Sequence, residues 1–111
     1  MSKTARFVGS FCDGRPELAE WLKWAQAHRE GAEALGNRAE AEIYGLFIGG
    51  IVALMHDRPV ARAYFAIVLD RERELKGTWG WNLVLLSRST SLIAEIDSRA
   101  TLRVIAAAVA Q

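Results

Sequence analysis

Chemistry in this chain would have to come from very few side chains. Cys12, His28 and His56 are the only thiol or imidazole ligands, and they form no C-x-x-C, no H-x-x-x-H and no compact Cys/His group of the kind a zinc site needs. His56 follows an apolar run, where an imidazole interacts with the last carbonyls of a helix and with Asp57. Cys12 has no recognisable base to activate it. The carboxylates come as Glu17/Glu20, Glu40/Glu42 and Glu72/Glu74, each in charged surroundings. General acid–base work needs a perturbed carboxyl in a cleft, and these read as solvated faces. The chain has no G-x-S-x-G, phosphate loop or dinucleotide fingerprint, and its only glycine-rich segment lies inside an apolar run. The expectation is a protein that is not an enzyme and holds no metal and no cofactor.

That apolar run, Ile43–Met55 (IYGLFIGGIVALM), carries no charge and has glycines at 45, 49 and 50. As a helix it is apolar on every side and must be buried on every side. At about 1.5 Å per residue it measures roughly 20 Å, short of the ~30 Å hydrocarbon core of a bilayer. Glu40 and Glu42 precede it and His56-Asp57-Arg58 follow it. It is therefore expected to be the central helix of a globular domain, with no membrane contact.

The chain has 111 residues, enough for one core. With Gly counted and Tyr left out, 64 of 111 residues are apolar, about 58% against a typical ~45–50%. So small a domain has much surface per unit volume, and the excess suggests that another chain covers part of it. Eighteen alanines soften that argument, because Ala forms helices and tolerates exposure. The net charge of +1 gives no electrostatic footprint for nucleic acid. A single Cys fits a reducing compartment, and the N-terminus meets Asp13 before any signal-like apolar core, so the expected location is cytoplasmic.

Four or five helices are expected, in a compact all-α bundle around the buried central helix. Residues 1–14 read as an N-terminal arm and 15–111 as a single helical domain. A first helix opens at Pro16 with a core stripe of Leu18, Trp21, Leu22 and Ala25. Gly36-Asn37 stops it, and Asn37 with Glu40 forms a capping box for the central helix. A third helix restarts at Arg58-Pro59, with Val60, Tyr64, Ile67, Val68 and Leu75 inward and Gly77 as its cap. TWGWNLVLL fits a strand or a buried helix, and SRSTS a break or a polar turn. Asp97 or Ser98 can cap a last helix carrying Leu102, Ile105 and Val109 inward, with Arg99 and Arg103 on its outer side.

Binding candidates follow from spare apolar residues. Gly45, Gly49 and Ala53 put small residues on one helical face, which permits close helix packing, within the monomer or between copies. Trp24 lies on the shoulder of the first helix. Trp79 and Trp81 flank Gly80 and, on a helix, point about 160° apart, so both cannot face one core. With Phe7 and Phe11 of the arm, and Tyr44, these tryptophans are the expected protein-binding residues, Trp being enriched at binding hot spots. A ligand pocket would need a polar group such as Tyr44 or His28 directed into an apolar cleft. For DNA, the turn at Gly36-Asn37 precedes the most apolar helix, the wrong kind for a groove. Arg58, Arg62, Arg99 and Arg103 more simply solubilise helices.

In size, helical pattern and the aromatic segments PELAEWLKWAQAH, IYGLFIGGIVALM and TWGWNL, the chain resembles the QslA family of small quorum-sensing antiactivators. The resemblance extends over most of the chain and includes no signature motif. It implies a non-enzymatic protein that sequesters a LuxR-type transcriptional regulator and blocks its dimerisation and DNA binding; the expectation of a homodimer comes from the residues themselves. The alternatives are a small helical regulator binding nucleic acid directly and a small-ligand-binding helical domain.

Overall fold

The computed structural model describes residues 15–71 and 81–110, apart from the side chains at 81, 82, 100 and 101. The architecture is all-α. Among the described residues there are four helices and no strand: α1 (Pro16–Ala34), α2 (Arg38–Leu54), α3 (Arg58–Asp70) and α4 (Trp81–Ala110). The expected arm at 1–14, with Phe7, Phe11 and Cys12, lies outside the described residues, as do Trp79, Leu75 and Gly77.

The connections are short because their chemistry is local. Pro16 opens α1. Gly36, at φ 75°, is the one described residue with a left-handed backbone, and it turns the chain toward α2. Gly31 leaves α1 unbroken. The capping box forms as expected: the Glu40 N–H donates to Asn37 Oδ1 at 3.2 Å, and Asn37 Nδ2 donates to Glu40 Oε2 at 2.8 Å. Asp57 caps α3 in the same way, accepting from the Val60 N–H at 3.2 Å.

α2 packs against both α1 and α3, and α4 packs on α3. No residue from 43 to 54 is exposed, as a helix apolar on every side requires. The core joins Leu18, Leu22 and Ala25 of α1 to Ile43, Tyr44, Phe47, Ile51 and Leu54 of α2. Ala61, Phe65 and Val68 of α3 and Leu85, Leu92 and Ile96 of α4 complete it.

Three expectations are corrected. The inward stripe of α3 is Ala61, Phe65 and Val68, while Val60 and Ile67 are exposed and Tyr64 is half-buried. The reason lies on α2, where Gly50 leaves a notch that the Phe65 ring fills: a Cβ at Gly50 would stand 2.5 Å from Phe65 Cε1. Next, the segment after Trp81 is one continuous helix: SRSTS is a polar helix turn, the second of its two readings, and no new cap forms at Asp97 or Ser98. Ser89 and Thr90 return their hydroxyl protons to the Leu85 and Leu86 carbonyls at 2.8 and 2.9 Å, which satisfies them inside the helix. Asp97 instead accepts from Arg62 Nε at 2.9 Å.

The third correction concerns direction. Leu102, Ile105 and Val109 face solvent at 61%, 54% and 80% exposure, and α4 runs on past the residues it packs against. Its bundle-facing stripe, Leu85, Ser89, Leu92 and Ile96, continues in register toward Arg99 and Arg103. Glu95, on the same stretch, ties α4 to the start of α1: Arg15 donates to its two oxygens at 2.8 and 3.1 Å.

Candidate protein-interaction surface

Two surfaces carry the features that the sequence singles out. The first lies between α1 and α4. Trp21 and Trp24 are three residues apart and share one side of α1, where each is half-buried against the core. Arg88 of α4 places its guanidinium 4.4 Å from the Trp24 ring centroid and 4.9 Å from that of Trp21. Burial holds the Arg88 pKa below its ordinary value, yet arginine stays charged. Its Nη1 is buried with no protein partner.

Behind this layer stands Tyr44 of α2. Its ring stacks on His28 at 5.3 Å and meets the edge of Trp24 at 5.5 Å, and Trp24 also makes edge contacts with His28 at 5.1 Å and Phe47 at 6.0 Å. Tyr44 is fully buried. It therefore presents nothing to a partner, which corrects its assignment as an interface residue: His28 and Trp24 cover it from α1. Its hydroxyl is buried without a hydrogen-bond partner, and burial pushes its pKa above the usual phenol value.

Of the expected binding residues, the structure brings Trp24 together with Trp21 and Arg88. Trp81 opens α4, but its side chain is outside the described set, as are Trp79, Phe7 and Phe11. In the sequence Trp21 falls on the core stripe and nothing marks Arg88, because only the fold brings positions 21, 24 and 88 together.

The small-residue face works within the monomer. A Cβ at Gly49 would stand 3.1 Å from the Tyr64 ring, whereas one at Gly45 would meet only the flexible Arg29 head at 3.5 Å. Ala53 is half-buried against the core. The close approach thus centres on Gly49 and Gly50, filled by Tyr64 and Phe65, and Gly45 is not essential to it.

The second surface is the end of α4. Every described side chain from 102 to 110 is exposed, and Arg103 is the only charged residue among those positions. Leu102, Ile105 and Val109 recur at helical spacing as one ridge, with Ala106 beside it; Val104, 70% exposed, lies across the helix. A helix end this apolar is ordinarily covered.

A cavity of about 330 Å³ lies where α1 turns into α2, walled by Arg29, Glu33, Gly36, Arg38, Ala41 and Glu42. A second, of about 390 Å³, lies at the α2–α3 turn. Neither Tyr44 nor His28 lines either of them. Among the described residues no three His, Cys, Asp or Glu side chains gather closely enough to hold a metal ion, and no helix is long and apolar enough to cross a membrane.

No protein-family model, curated protein or solved structure matches the chain.

Proposed function

We propose that this chain is a non-enzymatic protein-binding inhibitor that acts as a homodimer and occludes a larger protein. The observation that carries the reading is the free end of α4, an uncharged ridge of Leu102, Ile105 and Val109 on a helix that has left its own core. Water is a poor environment for it: burying such side chains yields about 1.5–3 kcal/mol each. A short helical end with few tertiary contacts is also only marginally stable by itself. Pairing with a second copy answers both deficits, since a ridge lacking charge can lie against its own two-fold image without repulsion.

The Trp21–Trp24–Arg88 layer is the surface offered to the larger partner. Trp and Arg dominate interface hot spots, and stacking holds the Arg88 head in place before any partner arrives, which lowers the entropy cost of binding. By the sequence resemblance, that partner is a LuxR-type transcriptional regulator, held away from its own dimer and so from DNA.

The test is a gel shift in which a purified LuxR-type regulator binds its operator while this chain is titrated in. Loss of the regulator–DNA band, with a new regulator–inhibitor complex on size exclusion, is the expected result. Arg88→Ala is expected to weaken the effect about tenfold or more. An unchanged band at saturating inhibitor removes the antiactivator reading, and a direct shift of DNA by this chain alone would replace it with the nucleic-acid reading.

A further inference from the structure

Arg15 and Arg99 both contact Glu95, and Arg58 and Arg103 lie together where the α2–α3 turn approaches α4. Glu95 is fully engaged: Arg15 takes both its oxygens, and Arg99 reaches one of them at 3.4 Å. Arg58, the first residue of α3, lies in the field of Arg99, Arg103 and Arg15 as well as that of Glu95. Its Nη1 is buried and has no hydrogen-bond partner. A cationic donor held out of water without an acceptor is costly, and positive neighbours add to the cost. Burial first, and then the neighbouring guanidiniums, hold the Arg58 pKa below its ordinary value.

Arg58 lines the cavity of about 390 Å³ with the rest of its side chain, its Nη1 being closed off, and Arg103 stands on the same wall. Leu54, Met55 and Pro59 supply an apolar lining. The one carboxylate on the wall is Asp57, whose Oδ1 is turned to the Val60 N–H as the cap of α3. The volume is at the lower end of small-molecule sites, and polar side chains (His56, Asp57, Arg58 and Arg103) make up more of the wall than apolar ones.

We propose that this cavity binds a small organic oxyanion, a carboxylate or phosphate on a short apolar body, with its head between Arg58 and Arg103 and its body on Leu54, Met55 and Pro59. The anion offsets the positive charge that Arg58 and Arg103 bring to the wall. Guanidinium groups suit such a head because they meet planar or tetrahedral oxyanions with paired donors. The site shares Arg103 with the end of α4 but not the Leu102, Ile105 and Val109 ridge or the Trp24 layer, so anion titration tests it apart from the protein-binding reading.

Isothermal titration of the purified chain with hexanoate and with hexyl phosphate, each at constant ionic strength, tests it and distinguishes the two head groups. Saturable binding of at least one is expected, weakened about tenfold or more by Arg103→Gln and by Arg58→Gln. Inorganic phosphate is expected to bind about tenfold more weakly than the better organic anion, for lack of an apolar body. Melting curves confirm that both variants fold. Absence of saturable binding, equal affinity in the variants, or equal affinity for inorganic phosphate would each overturn the proposal.

Discussion

The Arg88 guanidinium lies 4.4 Å from the Trp24 ring centroid, joining α4 to α1 across more than half the chain. This contact makes Trp24 part of the fold as well as of a surface. Arg88→Gln is expected to lower stability by about 1–2 kcal/mol, and Arg88→Lys to restore only part of it, because an ammonium lacks the flat face that stacks. Trp24→Ala is expected to cost at least about 2 kcal/mol, since its ring also packs Tyr44 and Phe47. Urea melts of the two single variants and the double variant check this, and a coupling energy near zero would show that the two side chains do not interact.

Tyr44→Phe is expected to stabilise the domain. The hydroxyl is buried without a partner, and removing it abolishes a desolvation cost of about 1–3 kcal/mol. The sign of the pH effect follows from the same burial. Tyrosine in the unfolded chain ionises near pH ~10, and burial raises the folded value. The unfolded state therefore loses its proton first, and stability present below pH ~10 falls as the pH rises toward the folded value. Thermal melts at neutral and alkaline pH are expected to show that the Phe variant loses less stability in base than the wild type.

Three glycines of α2 are expected to differ sharply when changed to Ala. Gly50→Ala drives a Cβ to 2.5 Å from the buried Phe65 ring and is expected to cost about 1–3 kcal/mol or more. Gly49→Ala presses on the half-buried Tyr64 ring at 3.1 Å and is expected to cost less. Gly45→Ala has room beside Arg29 and is expected to be neutral or to gain up to about 1 kcal/mol of helix propensity. Circular dichroism melts rank them, and a destabilised Gly45→Ala would show a tighter α1–α2 contact than the structure has.

Much of this fold was legible because its signals are local. Pro16, the Asn37–Glu40 box, Gly36 and the uncharged run of α2 each act through neighbours a few residues away. The misreadings share one cause. The ridge Leu102, Ile105 and Val109 has the period of a core face, and periodicity reports that a face is apolar without saying which chain covers it. The side turned toward the bundle is instead the one bearing Arg103, at the α2–α3 turn. On α3, Val60 and Ile67 are as apolar as Ala61 and Val68, and only the notch at Gly50 on another helix decides which stripe turns inward. The Trp24–Arg88 contact was invisible for the same reason, as no local rule links positions so far apart.

The central claim is that a second protein chain covers the free end of α4, and light scattering after size exclusion at micromolar concentration tests it most directly. Wild type is expected to elute with the mass of two chains, twice 12.3 kDa. Leu102→Glu/Ile105→Glu is expected to elute as one chain with its core melt preserved, because both side chains are exposed. A wild type that remains a single chain throughout that range, or a double variant that still pairs, would contradict the account.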